Sequence, residues 1–176
     1  MYRKTTLYID IDDTIIAQVL PGSGRELRPC VITHLTFLGQ LYDCCWLTSW
    51  PYSPADAPTS GMCVQTLMRS VYGQRINDTF RFADWDHEHL DGKAGFVLRP
   101  DQPEDWYWLE DPIAKGEHDA LKAAGKLDHY ISVDPQGPWG FLDAVNEVFL
   151  RNGNTRAAFD RIGARPDWFD RSVLLL

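Results

Sequence analysis

Residues 7–14 of this 176-residue chain read Leu-Tyr-Ile-Asp-Ile-Asp-Asp-Thr, an apolar run that ends abruptly in three acids. Aromatic and β-branched residues in such a run predict a buried strand. The carboxylates of Asp10, Asp12 and Asp13 would repel one another at its end, and they are costly to desolvate together without a cation. The segment therefore predicts a buried strand whose carboxyl end binds a metal ion, a phosphate group, or both.

Strand-like and helix-like segments alternate along the rest of the chain. Short apolar runs predict three further strands, at 44–47, 106–109 and 129–133. Helical spacing of apolar residues predicts five helices, at 29–41, 65–72, 93–99, 117–125 and 141–150. The remaining segments are predicted to be a hairpin within 15–28, a loop at 50–63 and irregular chain at 77–92. Strands separated by helices predict an α/β fold, a three-layer Rossmann-like parallel sheet with helices on both faces.

Composition limits the class of protein. The length and a hydrophobic content of 44% favour one domain with one substantial core. A net charge of −8 argues against non-specific coating of nucleic acid, although a local basic groove is compatible with it. No apolar run approaches the roughly 20 residues of a membrane span, and no signal peptide is evident. The four cysteines lack zinc-ligand spacing, so we expect buried, reduced thiols in a cytoplasmic protein that does not contact a membrane.

The ligand site of a parallel sheet lies at the carboxyl ends of its strands. Polar groups follow all four predicted strands: Asp10 and Asp12, Thr48, Glu110 and Asp111, and Asp134. Their convergence on one edge predicts a catalytic site. Asp10 is placed to attack phosphorus and form an aspartyl-phosphate, and Asp12 to act as general acid and then general base.

The other polar residues suit the binding of a phosphate and a cation. Glu110 and Asp111 offer oxygen ligands to a hard divalent cation, most simply Mg²⁺. Thr48 is placed to hydrogen-bond a phosphoryl oxygen. A lysine would complete the charge balance, and Lys93 and Lys115 are the two candidates.

These segments resemble the motifs of the haloacid dehalogenase-like (HAD) superfamily. Residues 10–14 match its first motif, Asp-x-Asp-x-Thr, and residues 45–48 resemble its second, an apolar run ending in Thr or Ser. Lys93 stands in the place of the third motif, and residues 108–111 in that of the fourth, an acidic pair after a strand. The resemblance covers roughly residues 5–150. It implies a HAD-like catalytic domain over 1–150, with 151–176 as a C-terminal helical extension of the same domain.

The resemblance also implies roles for individual residues. Asp10 would be the nucleophile and Asp12 the acid/base. Mg²⁺ would be held by Asp10, by the main-chain carbonyl of Asp12 and by one acid of the pair Glu110 and Asp111, with the choice between those two left open. An aspartate at the second position of the first motif implies a phosphatase or phosphotransferase and not a dehalogenase.

A narrower similarity concerns residues 46–50, 108–112 and 133–137, which resemble a small HAD subgroup associated with RNA-repair proteins. The fourth motif of that subgroup is typically Asp-Asp, whereas here its first acid is Glu110. Only about 33 residues separate Asp12 from the strand at Cys45, so little or no cap domain is expected there. An open site admits the end of a large substrate.

The expected function is therefore a Mg²⁺-dependent phosphomonoester hydrolase for a nucleotide or a polynucleotide-end phosphate. The alternative is a non-catalytic or regulatory binding module with the same fold. Three tryptophans are candidates to stack on a base, although packing is the more frequent role: Trp50, Trp85 and Trp139.

Four further features have ordinary structural interpretations. The acidic and histidine-rich segment 84–89 matches no zinc pattern and is expected to be an exposed loop. His118 and His129 are isolated and are expected to be structural or solvated. Asp134 is either a turn-former before Pro135 or a partner that orients Lys93. Asp13 is expected to face the turn after the first strand and to bond local backbone amides.

Overall fold

The computed structural model describes residues 4–17, 26–51, 63–64, 80–85 and 92–152. Its centre is a sheet of five parallel strands in the order β5-β4-β1-β6-β7. The strands are β1 (Thr6–Ile9), β4 (Asp43–Trp46), β5 (Arg81–Phe82), β6 (Trp106–Glu110) and β7 (Tyr130–Ser132). A separate antiparallel pair is formed by β2 (Ile16–Ala17) and β3 (Glu26–Leu27).

Helices cover both faces of the parallel sheet. They are α1 (Val31–Leu41), α2 (Gly92–Val97), α3 (Lys115–Ala123) and α4 (Gly140–Arg151), with a short 3₁₀ helix at Leu127–His129. Successive side chains of a strand point to opposite faces. Leu7 and Ile9 accordingly lie in the core beneath α1 and α4, whereas Tyr8 lies in a second cluster beneath α2 and α3. The molecule is thus an α/β protein with one helical layer on each side of a parallel sheet.

The chain leaves β1 through a tight turn that leads into the β2–β3 hairpin. The amides of Ile15 and Ile16 both donate to the carbonyl of Ile11, and Asp13 has a left-handed backbone with φ of 53°. Asp13 is therefore a turn residue, in agreement with the sequence prediction. The predicted hairpin within 15–28 is confirmed by the pairing of β2 with β3.

Arg28, just after β3, holds this turn against the loop that follows β7. Its side chain is only 2% exposed, and its guanidinium donates to the main-chain carbonyls of Asp13 (2.7 Å), Asp134 (2.9 Å) and Gly137. These carbonyls lie on two loops that are far apart in sequence. A single buried side chain thus connects the turn after β1 to the loop after β7.

The predicted strands and helices inside the described ranges are confirmed, with ends shifted by about one to three residues. One prediction of secondary structure was wrong: the segment 77–92, expected to be irregular, contains β5 and the first residue of α2. β5 is two residues long, too short to give a periodic pattern. The predicted helix at 65–72 lies outside the described residues, and so does nearly all of the extension 151–176.

The cysteines differ in exposure. Cys44, Cys45 and Cys63 are buried, but Cys30 is exposed at the N-terminus of α1, contrary to the expectation that all four are buried. Burial raises the pKa of the Cys45 thiol to about 11, so this group is a protonated core residue. Among the described helices, none combines the length and the apolar composition needed to cross a membrane.

Candidate phosphate and metal site

Three acids meet where β1 and β6 end. Asp10 follows β1 directly, and its amide donates to the carbonyl of Leu109 on the neighbouring strand. Glu110 is the last residue of β6, and Asp111 comes next. One carboxylate oxygen from each of these acids lies within 4.8 Å of the other two. Asp10 and Glu110 are buried, at 2% and 8% exposure. Adjacent parallel strands therefore place the acids of the first and fourth motifs together.

Lys93 lies between two of these acids. Its ammonium is 2.6 Å from Asp10 Oδ1, and it is 2.8 Å and 2.6 Å from Oε1 and Oε2 of Glu110. Lys115, the rival candidate, is exposed at the start of α3. Of the two lysines, Lys93 is the one that the structure brings to the acids.

The electrostatics of the cluster reflect its burial. Burial, followed by repulsion from Asp10, raises the pKa of Glu110 to about 9. Burial also raises the pKa of Asp10, although Lys93 opposes the change. Burial alone would lower the pKa of Lys93, but attraction to both acids outweighs it and raises that pKa. When all three acids are ionised, the cluster has three negative charges and only the one positive charge of Lys93. It then carries a surplus of negative charge.

The two acids after Leu109 have different surroundings. Both oxygens of Glu110 accept hydrogen bonds from Lys93, and Oε2 also accepts one from the indole of Trp108 at 3.1 Å. Asp111 is half-buried, and its carboxylate accepts no hydrogen bond from any described residue. Its amide donates to the hydroxyl of the buried Thr14 at 3.1 Å. The last residue of the first motif therefore fixes the backbone at Asp111.

Asp12 and Thr48 are both hydrogen-bonded to Trp50. The indole Nε1 of Trp50 donates to Asp12 Oδ2 at 2.8 Å. The amide of Trp50 donates to the hydroxyl oxygen of Thr48 at 3.2 Å, and the indole of Trp85 donates to the Thr48 carbonyl at 3.0 Å. Thr48 is fully buried, and its own O–H remains able to donate. The sequence singled out both tryptophans for stacking but did not reveal these hydrogen bonds.

The backbone that carries Lys93 is held by a residue from another helix. Glu117 Oε1, in the first turn of α3, accepts hydrogen bonds from the amides of Lys93 (2.9 Å) and Ala94 (3.3 Å). These amides at the start of α2 have no partner within the helix. Sequence reasoning missed Glu117, because nothing local relates a glutamate to a helix 24 residues earlier.

No hydrogen bond or ion pair joins the remaining candidates to these acids within the described part of the chain. The Asp134 carboxylate accepts the amide of Gln136 at 2.9 Å, which makes it a turn-former; the partners of the Lys93 ammonium are Asp10 and Glu110. Trp139 is 49% exposed at the start of α4. The segment 84–89 is described only at its first two residues.

Chemically, the site combines a buried carboxylate beside an ammonium, a second carboxylate two residues away, a buried hydroxyl, and three acids close enough to share a cation. No protein-family model and no curated protein matches the chain. Its function therefore has to be inferred from the chemistry of the site.

Proposed function

We propose that the chain is a Mg²⁺-dependent phosphomonoester hydrolase that acts through an aspartyl-phosphate on Asp10. The observation that carries the proposal is the Lys93 ammonium, 2.6 Å from a buried Asp10 carboxylate at a site where Glu110 and Asp111 also converge. An ammonium and a divalent cation beside a carboxylate nucleophile are what the transfer of a dianionic phosphoryl group requires. A purely structural ion pair would not need a third acid in the same place.

The proposed reaction has two steps. A carboxylate oxygen of Asp10 attacks phosphorus while the bond from phosphorus to the leaving oxygen breaks, and Asp12 donates a proton to that oxygen. Water then attacks the phosphorus of the aspartyl-phosphate, Asp12 takes a proton from the water, and the bond to Asp10 breaks. Lys93 and the Thr48 hydroxyl bind non-bridging phosphoryl oxygens. The products are the alcohol and inorganic phosphate.

The donor set fits Mg²⁺, because it consists of carboxylate oxygens with surplus negative charge. Asp10 and Asp111 would hold the ion, together with the main-chain carbonyl of Asp12 implied by the family motif. We favour Asp111 over Glu110 because both oxygens of Glu110 already accept hydrogen bonds from Lys93. When bound, the metal would supply positive charge that relieves the repulsion between the carboxylates and the phosphate.

Membership of the HAD superfamily is part of the proposal. It is supported by the Asp-x-Asp-x-Thr motif at the end of β1, the central strand of a parallel sheet, and by the order of the other three motifs along the chain. We further propose a nucleotide or a polynucleotide-end phosphate as substrate, from the small space for a cap between Asp12 and β4. The four free cysteines support a reducing, cytoplasmic location.

The test is phosphate release from p-nitrophenyl phosphate, measured with Mg²⁺ and with EDTA. Wild-type protein is expected to be active only with Mg²⁺, and Asp10→Asn to lose at least about a thousandfold in kcat because the nucleophile is removed. Asp101→Asn, at an exposed loop residue, is the matched control and should retain activity. A panel of mononucleotides and of oligonucleotides with 3′- or 5′-phosphates then addresses the substrate.

Absence of Mg²⁺-dependent release from every phosphate in this panel would overturn the proposal and favour the non-catalytic binding module. Equal activity of Asp10→Asn and wild type would exclude Asp10 as the nucleophile. Much faster cleavage of mononucleotides than of any oligomer would contradict a polynucleotide end as substrate, while leaving the chemistry intact.

A further inference from the structure

Trp50 contacts the carboxylate to which the proposed reaction assigns proton transfer. Its indole Nε1 lies 2.8 Å from Asp12 Oδ2, a normal length for a charge-assisted hydrogen bond. Asp12 and Trp50 are 38 residues apart and lie on different loops, the first after β1 and the second after β4. The contact therefore joins the first motif to the chain just beyond the second motif.

Both ends of the Trp50 residue are anchored. Its ring packs against the apolar cluster beneath α1 and α4, and its amide donates to the Thr48 hydroxyl oxygen at 3.2 Å. Tryptophan has only two side-chain torsions, so a ring held by packing gives a donor of nearly fixed direction. The Trp50 N–H thus has a defined position relative to Thr48, a residue that the proposed reaction uses to bind phosphate.

A hydrogen-bond donor does more to fix the orientation of the Asp12 carboxylate than that of a side chain already held by the core. Asp12 lies three residues beyond the end of β1, just before the turn, and is half-buried, whereas Asp10 directly follows the strand and is buried. A general acid must lie within hydrogen-bond reach of the leaving oxygen, and a small displacement is costly. An N–H donor at Oδ2 fixes the plane of the Asp12 carboxylate, and with it the direction from which this group can exchange a proton.

We infer that Trp50 is a positioning residue that orients the Asp12 carboxylate toward the leaving group. The inference rests on the proposed phosphatase reaction and adds to it a residue that acts only through Asp12. It has a consequence for substrate preference. Departure of a p-nitrophenolate needs little help from an acid, whereas departure of an alkoxide depends on protonation. Loss of the Trp50 donor should therefore affect alkyl phosphates more than aryl phosphates.

The test uses Trp50→Phe, which keeps an aromatic ring and removes the N–H. The quantity measured is kcat/KM with Mg²⁺, because it reports the step in which the leaving group departs. β-Glycerol phosphate is the alkyl substrate and p-nitrophenyl phosphate the aryl substrate. Trp139→Phe, at an exposed tryptophan, is the matched control. Trp50→Phe is expected to lose about 10- to 100-fold on the alkyl substrate, the size of one hydrogen bond to a charged group, and less than about threefold on the aryl substrate.

A second measurement separates positioning from a general structural role. In an Asp12→Asn background, Trp50→Phe should cause no further loss, because the carboxylate on which the indole acts has already been removed. Melting temperatures of all variants show whether each is folded. An additive loss in the double variant, or equal losses on both substrates in a folded single variant, would overturn the inference.

Failure of this inference is distinguishable from failure of the proposed function. If wild-type protein hydrolyses neither substrate, the reaction itself is wrong and the inference falls with it. If wild type is active and depends on Asp10 and Asp12, but Trp50→Phe behaves like Trp139→Phe, the reaction stands and the role of Trp50 is refuted.

Discussion

Both carboxylate oxygens of Glu110 accept hydrogen bonds from the Lys93 ammonium, at 2.8 Å to Oε1 and 2.6 Å to Oε2. The next residue, Asp111, makes no such contact within the described chain and is fixed instead through its amide and Thr14. Two adjacent acids therefore have different hydrogen-bond partners. Under the proposed function, Glu110 would orient the lysine and Asp111 would hold the cation.

This division predicts opposite kinetic effects of two substitutions. Asp111→Asn should raise the Mg²⁺ concentration for half-maximal activity by at least about tenfold, because the site loses a charged ligand. Glu110→Gln should leave that concentration within about threefold but lower kcat, since an amide offers Lys93 one acceptor oxygen in place of two. Titration of the hydrolysis rate with Mg²⁺ measures both. If Glu110→Gln shifted the Mg²⁺ requirement and Asp111→Asn did not, the two roles would have to be exchanged.

The raised pKa of Glu110 predicts how the stability of the metal-free protein depends on pH. The pKa rises from 4.5 to about 9 on folding, so the folded state binds this proton more tightly. The contribution is complete below pH 4.5 and is lost as the pH rises toward about 9, with a slope of at most about 1.4 kcal/mol per pH unit for one proton. Glu110→Gln, which cannot ionise, should show a flatter profile.

Urea unfolding in EDTA at several pH values across this range tests that expectation. Mg²⁺ should restore stability most at the alkaline end, because metal binding competes with protons for the acids. Parallel pH profiles for wild type and Glu110→Gln would show that the pKa of this group does not change on folding.

Arg28→Met is expected to lower the free energy of unfolding by about 3 kcal/mol, because three main-chain carbonyls lose a buried donor. Arg28→Lys should recover only part of the loss, since an ammonium lacks the planar fork of the guanidinium. The measurement is urea unfolding. Arg99→Met is the control: Arg99 is exposed and lies over the ring of Phe96, so about 1 kcal/mol or less is expected. Equal losses in the Arg28 and Arg99 variants would refute a special role for Arg28.

Two glycines on the helices form a matched pair. A Cβ at Gly140 would collide with the main-chain carbonyl of Asp134 and crowd the Arg28 guanidinium, whereas a Cβ at Gly116 would meet nothing within 4 Å. Gly140→Ala should therefore cost about 1–3 kcal/mol. Gly116→Ala, within α3, should stabilise by roughly 0.5–1 kcal/mol through helix propensity. Thermal melting of both variants gives the comparison, and a neutral Gly140→Ala would mean that the loop after β7 readily moves away.

Most of the sheet could be predicted from the sequence because β1, β4, β6 and β7 are apolar runs that end in polar residues. In a parallel sheet, that pattern alone places Asp10, Thr48 and Glu110 at one edge. The positions of the helices were predicted from the helical spacing of their apolar residues. β5 could not be predicted, because its two residues, Arg81 and Phe82, gain their strand geometry from pairing with β4.

Side-chain partners were harder to predict than positions. The contact between Trp50 and Asp12 and that between Glu117 and the start of α2 join segments 38 and 24 residues apart. No periodic pattern encodes them, since each depends on how two distant segments meet in the folded protein. The choice of Asp111 over Glu110 as the proposed ligand likewise depends on where one ammonium lies, which sequence spacing does not specify.

The interaction of Glu117 with the start of α2 bears on how small a working version of this protein can be. A chain ending at Asp111 would contain every motif residue from Asp10 onward, yet it would lack the carboxylate that accepts the Lys93 and Ala94 amides. A helix of six residues such as α2 has little stability of its own. The shortest chain that positions Lys93 is therefore longer than the shortest chain that contains all four motifs. It includes α3, although α3 supplies no side chain to the proposed reaction.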